Sequence, residues 1–294
     1  MRPADLARLV ALGALWGASY LFMRVAVPHL GAEWVVEGRT LAGGAVLAAF
    51  IVLTGRGFAV RRFWRGYLVI GIVGVALPFW LIGTAVKTID ASTAAILNTT
   101  SPIFSAIVAS IWIGDRLTVE KAAGIALSIA GIAILLGWTP RPMSPAELAA
   151  CGLSLAACAC YGWVSVFTKV HLKDAPSSAL SAASCLVAAA ALAPFTPWSA
   201  VASPVPAHAW ASVAALGIFS TGAAFILYYR LIADLGPVKA LMVTLLIPVF
   251  GIFWGVLLLG EPVTPGRLAG CAIVLVGCAL ALGLVRLPFR RAAG

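Results

Sequence analysis

Long apolar stretches, each about the length of a membrane-spanning helix, dominate this sequence. They fall near residues 8–28, 34–54, 66–86, 91–113, 120–138, 147–168, 177–197, 210–232, 240–259 and 267–286. A helix needs about 20 mainly apolar residues to cross the hydrocarbon core of a bilayer, and a spanning segment must satisfy its backbone polar groups internally. The sequence therefore predicts an all-α integral membrane protein with ten transmembrane helices joined by short loops.

Charged side chains are scarce, and their positions indicate how the chain is oriented. They make up 10% of the residues, whereas a soluble domain has about a quarter. The net charge of +10 comes from Lys and Arg at the ends of apolar stretches, which sets topology and gives no basis for binding nucleic acid. Most of them fall on one side if the N-terminus is cytoplasmic, above all in the loop GRGFAVRRFWRG (residues 55–66). We therefore expect both termini in the cytoplasm.

Patterns for cofactors, metals and catalysis are absent from the sequence. The six cysteines lie in or beside apolar stretches, without acids or histidines at metal-ligand spacing. His29, His171 and His208 fall at helix ends or in loops, whereas an intramembrane serine protease needs its catalytic histidine deep within the membrane. The phosphate-loop pattern GxxxxGK[ST] does not occur. The sequence predicts no cofactor, no metal site and no catalytic residue, and hence neither an enzyme nor an ATP-driven pump.

The second half of the chain repeats the first. A displacement of 146 residues aligns residues 98–136 with residues 244–282 without a gap. The aligned pairs include Pro102 with Pro248, Phe104 with Phe250, Gly114 with Gly260, Asp115 with Glu261, Thr118 with Thr264 and Lys121 with Arg267. Each half holds five predicted helices, an odd number, so the second half enters the membrane from the opposite side. We predict two inverted repeats, residues 1–139 and 147–294, joined by an external linker at 140–146 in one compact unit.

Two polar turns and four glycines are part of this repeat. The first polar turn (residues 114–121) and the second polar turn (residues 260–267) each have a Gly that ends one helix and an acid or Thr that caps the next, which indicates a structural role. Gly124, Gly131, Gly270 and Gly277 follow in small-residue patterns that allow close helix contact within or between chains. The oligomeric state stays open, and a monomer is compatible with the sequence.

Three motifs carry a resemblance to known proteins: LWGASYLFMR (15–24), SPIFSAIVASIWIGDRLT (101–118) and IPVFGIFWGVLLLGEPVTPGRLAG (247–270). With them the chain resembles the drug/metabolite transporter superfamily, in particular its EamA-type ten-helix members, over roughly residues 9–284. The resemblance implies a bacterial inner-membrane carrier that works without ATP and commonly exports small metabolites; bacterial exporters of aromatic amino acids are the most similar. Such proteins often carry an acid before the helix 9 proline, where this chain has Ile247, with Ser101 as its counterpart. A midplane carboxylate that carries protons is therefore not expected.

The sequence also predicts where a substrate binds. Carriers with inverted repeats hold substrate near the midplane, beside helices that Pro or Gly interrupts. Three prolines lie deep in their helices and are predicted hinges: Pro78, Pro102 and Pro248. The predicted cavity residues are polar or aromatic and lie in the central helices: Trp16, Tyr20, Phe79, Trp80, Asn98, Trp163, Thr221, Phe225, Tyr228 and Thr244. Hydrogen bonding between helices for the polar members, and packing for the aromatic ones, are the alternatives left open.

Few charges fall inside the predicted helices, because each one costs about 2.5–3.5 kcal/mol near a helix centre on insertion scales. Arg24 and Arg39 are expected to snorkel or to pair with Glu37, and Arg24 and its counterpart Lys169 to stand at the two mouths of a path. A polar but uncharged cavity suits a zwitterionic or neutral substrate. The sequence thus predicts a secondary exporter of aromatic or neutral amino acids by alternating access; a proton-coupled drug or metabolite efflux carrier is the alternative, and a channel or sensory protein a distant one.

Overall fold

The computed structural model describes residues 2–115, 118–137, 142–198, 201, 204–235, 240, 242–281 and 283–285, and the regular structure in these ranges is entirely helical. The helices are α1 (Pro3–Leu53), α2 (Val60–Ala85), α3 (Ala91–Ile113), α4 (Val119–Gly137), α5 (Pro145–His171), α6 (Ser177–Leu192), α7 (Ala207–Ile232), α8 (Val243–Leu259) and α9 (Pro265–Ala281). Part of the predicted linker 140–146 and the basic C-terminal residues 286–294 lie outside the described residues.

Five of these helices are long and apolar enough to cross a membrane. They are α1, α2, α3, α5 and α7, and α6, α8 and α9 are shorter apolar helices. The prediction of an all-helical membrane protein is confirmed at this level. The count of ten crossings and the side of the termini stay predictions.

Helix α1 consists of two arms that fold back on each other at Gly31. The backbone of Gly31 leaves the helical region, with φ 76° and ψ 162°, a conformation that glycine adopts without strain. Beyond it, Arg39 lies 3.7 Å from the sulfur of Met23 and 3.5 Å from the hydroxyl of Ser19. In a straight helix residues 19 and 39 would be about 30 Å apart, so the chain reverses. The arms match the predicted segments 8–28 and 34–54.

Close helix contacts join the two halves in matching pairs. A Cβ on Gly17 of α1 would lie 2.6 Å from the Cβ of Phe250 in α8, and a Cβ on Gly162 of α5 would lie 2.6 Å from that of Phe104 in α3. Gly17 and Gly162 are repeat partners at a displacement of 145 residues, which aligns residues 16–24 with 161–169, and Phe104 and Phe250 are partners at the displacement of 146. The first helix of each half thus packs against the fourth helix of the other half, and only glycine allows this approach.

Helices α4 and α9 pack antiparallel along the four predicted glycines. A Cβ on Gly124 would lie 2.6 Å from the carbonyl oxygen of Gly277, and one on Gly131 would lie 3.1 Å from that of Gly270. Advancing along α4 therefore means going back along α9, as a two-fold axis between the halves requires. The sequence left contact within or between chains open; the structure places it within the chain.

A side chain at Gly277 is expected to destabilise the protein. In Gly277→Val the Cβ would lie 2.7 Å from the carbonyl oxygen of Gly124 and from the amide nitrogen of Ser128, both backbone atoms that cannot rotate away. Overpacking of this kind costs about 1–3 kcal/mol, measured as a lower Tm in detergent. Gly152→Val in α5 is the matched control, because nothing lies within 4 Å of a Cβ there. Equal Tm values for both variants would contradict the close α4–α9 packing.

Helices α2 and α7 each contain a π-helical stretch, Ile70–Ala76 in α2 and Ile218–Ala223 in α7. The repeat partners Gly71 and Gly217 lie at or just before these stretches. A Cβ on Gly71 would lie 2.9 Å from the carbonyl oxygen of Ser184, and one on Gly217 would lie 3.0 Å from that of Arg39. Such π-bulges often occur at functional sites. Here the crossings bring Arg39 and Ser184 to the centre of the bundle.

The three predicted hinge prolines have different surroundings. Pro102 follows a break in α3, which divides into Ala91–Asn98 and Ser101–Ile113 because a proline clashes with the preceding turn and lacks an N–H. Pro78 comes directly after the π stretch of α2, and Pro248 lies inside α8. Whether the helices move at these prolines stays a prediction.

The two polar turns share backbone features in the residues that the structure describes. Gly114 and Gly260 both end their helices with a φ of 66°, the left-handed conformation typical of a helix C-terminus. Thr118 Oγ1 accepts from the backbone N–H of Lys121 at 3.3 Å, and Thr264 Oγ1 accepts from that of Arg267 at 3.2 Å. The predicted helix-ending and helix-capping roles are confirmed in both turns.

Candidate functional site

A cavity of about 510 Å³ lies between the two halves, where α1, α2, α3, α5, α6, α7 and α8 meet. Its walls are mainly aromatic and aliphatic, with hydroxyl groups and one amide between them. Six of the ten predicted cavity residues line it: Trp16, Tyr20, Phe79, Asn98, Phe225 and Tyr228. Its other lining residues include Ser19, Met23, Arg39, Ile82, Tyr161, Ser165, Thr168, Ser181, Ser184, Cys185 and Ile247.

Aromatic rings of α1 and α7 form one wall. The ring centroid of Trp16 lies 5.3 Å from that of Tyr228 and 6.0 Å from that of Phe225, with tilted and edge-on orientations. Phe225 and Tyr228 are three residues apart on α7 and therefore share a face. The sequence predicted these three residues for the cavity, and they share one wall of it; contact with a flat or bulky substrate stays a prediction.

The other four predicted residues lie elsewhere. Trp80 donates its indole N–H to Glu33 at 2.7 Å. Trp163 packs among aromatic residues of α3 and α5, with its ring centroid 5.2 Å from Phe167. Thr244 is not among the lining residues, and Thr221 lies fully buried behind the wall. For Trp80 and Trp163, helical spacing gave the right helix but not the face that meets the cavity.

Arg39 corrects the expectation that the cavity is uncharged. Its guanidinium lines the cavity with only 6% of the residue exposed. Its Nε donates to Thr221 Oγ1 at 3.0 Å, and its charge lies 3.9 Å above the ring centre of Phe79. Among the described residues it forms no ion pair with a carboxylate, Glu37 included. The sequence analysis expected Arg39 to snorkel or to pair with Glu37, and both expectations are wrong.

The sequence offered one signal for this burial. Gly38, Gly43 and Gly44 surround Arg39 on its arm of α1 and allow α6 and α7 to approach closely. The small residues beside Arg39 thus allow the neighbouring helices to enclose its charge. Snorkelling needs a free path to the membrane surface, which this packing removes.

The remaining polar groups of the cavity are neutral. No Asp or Glu lines it within the part of the chain that the structure describes. Ile247, which stands where related sequences often carry an acid, contributes an apolar side chain to the wall. The Oγ of Ser184, the repeat partner of Arg39, is buried and has no hydrogen-bond partner among the described residues. The described cavity walls therefore include the positively charged Arg39, and close to them lies a buried hydroxyl group without a partner, an arrangement that is costly for a polar group.

The two ends of the bundle differ. The Asp115 end carries the first polar turn, and the lining residues Thr168 and Ser181 lie within one turn of the α5–α6 connection at this end. The Glu261 end, where the second polar turn meets the start of α3, is held by contacts. There Arg24 donates to the carbonyl of Val86; its snorkelling and its place at one mouth of a path stay predictions. The cavity thus extends towards the Asp115 end.

These features define a multi-pass helical membrane protein with a central cavity shared by two intertwined halves. Its sequence matches the EamA-like transporter family twice, over residues 6–137 and again over residues 148–283. The chain belongs to this family and is a membrane transporter.

Relatives cover nearly the whole chain. An uncharacterized transporter of Archaeoglobus fulgidus is 25% identical over 89% of this chain and 92% of its own. A Chlamydia muridarum protein named S-adenosylmethionine/S-adenosylhomocysteine transporter is 23% identical over 92% and 90%. A solved crystal structure shares the fold, with a TM-score of 0.67, 22% identity and coverage of 97% of this chain and 98% of that one. Similarity to aromatic amino-acid exporters stays a prediction.

Proposed function

We propose that the chain is a secondary transporter that exports amino acids, aromatic or neutral ones above all, by alternating access and without ATP. In this proposal ten helices form two inverted five-helix repeats, residues 1–139 and 147–294, around the cavity. Both termini lie in the cytoplasm and the membrane is the bacterial inner membrane. The double family match and the antiparallel α4–α9 packing support the inverted arrangement, which is typical of secondary carriers.

The observation that carries the substrate assignment is the buried guanidinium of Arg39. Arg39 lines the cavity, and its contacts within the described residues are with neutral groups. A guanidinium has five N–H donors in a fork that fits a carboxylate. The carboxylate of an amino acid would provide the missing partner. The aromatic wall of Trp16, Phe225 and Tyr228 would then contact the side chain of the substrate.

The ammonium group of an amino acid would meet neutral acceptors. Asn98 and Ser165 line the same cavity, and an amide oxygen and a hydroxyl oxygen can each accept a hydrogen bond from an ammonium group. Because the described cavity walls carry the positive charge of Arg39 and no acid, a zwitterion with an exposed carboxylate is favoured over a simple amine.

S-adenosylhomocysteine and S-adenosylmethionine belong in the test because relatives carry these names. Both molecules combine an amino-acid carboxylate with a flat purine ring. They therefore present the two groups for which the cavity offers partners, a carboxylate for Arg39 and a ring for the aromatic wall.

Counterflow in liposomes tests the proposal. Purified protein is reconstituted into liposomes loaded with one unlabelled compound, and entry of the same labelled compound is followed without an ion gradient. We expect saturable counterflow for aromatic or neutral amino acids, and liposomes without protein give the background. Counterflow of the two adenosyl compounds alone would change the substrate assignment. Transport only under a proton gradient would favour the efflux alternative, and linear flux without saturation would favour a channel.

A further inference from the structure

The two polar turns match in backbone at Gly114 and Gly260 and at the acid that follows each glycine, but their side-chain contacts differ. Glu261, in the second turn, has only 6% of its side chain exposed and reaches across to the start of α3. Its Oε1 accepts from the backbone N–H of Ala91 at 2.7 Å, and its Oε2 accepts from that of Ser92 at 3.1 Å and from the Ser92 hydroxyl. The carboxylate thus caps a helix of the other half.

The surrounding residues are fitted to this contact. A Cβ on Gly255 would lie 2.5 Å from Glu261 Oε2 and 2.6 Å from Ser92 Oγ, so glycine is needed to make room. Arg267 pairs with Asp90 just before α3 and lies 3.9 Å from Glu261. Two acids and one arginine therefore tie the second half to the first at this end of the bundle.

Asp115, the counterpart in the first polar turn, has no comparable contact among the described residues, and residues 237 and 238, the repeat equivalents of Ala91 and Ser92, lie outside them. Its side chain is 42% exposed and pairs with Lys121 at 3.0 Å within the same turn. Gly114 and Gly260 have the same φ, and each acid donates its backbone N–H to the carbonyl of the residue six positions earlier, at 3.2 Å for Asp115 and 3.1 Å for Glu261. Among the described residues, the two turns thus differ in their side-chain contacts.

We propose that Glu261 is a latch that keeps the Glu261 end of the transport path closed while the cavity extends towards the other end. This assignment rests on the proposed transport function. Opening that end requires α3 to separate from the second polar turn, which breaks the three hydrogen bonds to Glu261. Hydrogen bonds to a charged group are stronger than neutral ones, so the latch holds the closed state and still allows release.

The latch predicts a shift in a conformational equilibrium when Glu261 loses its charge. Nitroxide labels are placed at Thr88 and Val263, both exposed, one on each side of the contact. The five buried cysteines are left in place, and Cys160, which is partly exposed, is replaced by Ala. Electron paramagnetic resonance then measures the distance between the labels in liposomes. We expect Glu261→Gln to raise the ratio of long to short distances about tenfold, as loss of a charge-assisted hydrogen bond implies.

Asp115→Asn is the matched control, because it removes the equivalent charge from a turn with the same backbone. We expect the distance ratio to stay as in the parent protein. Ser92→Ala removes one of the three hydrogen bonds and should raise the distance ratio by less than Glu261→Gln does. If Glu261→Gln does not fold, Ser92→Ala provides the test of the latch. An unchanged ratio in these variants would overturn the latch, and so would an equal rise in Asp115→Asn.

The label distances do not depend on finding the substrate. If the distances shift as expected but the parent protein shows no counterflow with any compound, the proposed function is overturned and the closure by Glu261 stands. If counterflow occurs and the distances do not shift, the transporter assignment stands and the latch is overturned.

Discussion

Replacing Arg39 by Gln is expected to remove the preference for substrates that carry a carboxylate. The guanidinium is the one charged group on the cavity walls within the described residues, and its protein partners are neutral: Thr221, Ser19 and the sulfur of Met23. A hydrogen bond to a charged group contributes about 1.5–3 kcal/mol, which corresponds to about 10- to 150-fold in affinity. Counterflow of an aromatic amino acid should therefore need a far higher concentration to saturate.

The decisive measurement compares an amino acid with the amine that lacks its carboxylate. The parent protein should prefer the amino acid strongly, and Arg39→Gln should lose most of this preference. Arg39→Lys keeps the charge but not the planar fork, so it should fall between the two. Arg62→Gln is the control, because Arg62 pairs with Asp174 at an exposed site, 69% exposed. An Arg39→Gln protein that folds and still prefers the amino acid would contradict carboxylate binding at Arg39.

Replacing Trp16 by Ala should weaken transport of aromatic substrates more than that of small aliphatic ones. Trp16 contacts Phe225 and Tyr228 and lines the cavity. An aromatic contact contributes about 0.5–1.5 kcal/mol beyond the contribution of the area it buries, and Trp16→Ala also removes buried contact area. We therefore expect the half-saturating concentration of aromatic substrates to rise about tenfold. The ratio of aromatic to aliphatic counterflow at low concentration measures this loss.

Trp163→Ala is the matched control for this experiment. In the repeat, Trp163 corresponds to Ala18, which lies two residues after Trp16. The ring of Trp163 packs against Phe167 and Trp112 rather than into the cavity. We expect substrate preference to stay unchanged in Trp163→Ala. An equal loss of preference in both variants would contradict the aromatic wall and favour a general packing effect.

Much of the fold could be predicted because it depends on local and repeated patterns. Apolar length gave the helices, and the polar turns recur because Gly114 and Gly260 impose the same helix end. The small residues at 124 and 277 were recognisable as contact positions, since side chains control how closely helices approach. Which helix each would meet was not predictable, because that depends on how the halves cross.

The candidate site was harder to predict for the same reason. Trp80 and Trp163 have the residue type of a cavity wall, but helix rotation turns them towards Glu33 and Phe167. Arg39 has the residue type of a membrane boundary, but the close approach of α7 at Gly43 encloses it. Periodicity shows which residues share a face, whereas the partner of each face is set by contacts between distant parts of the chain.

The pairing of α4 with α9 has a consequence for how the protein is made. The surface of α4 around Gly124 and Gly131 is shaped for the backbone of α9, and α9 is synthesised long after α4. Until then this glycine face has no partner from its own chain and must be covered by lipid or by an insertion factor. A nascent chain that stops before residue 265 should therefore be recognised by membrane quality control, even though the residues that line the cavity are already present.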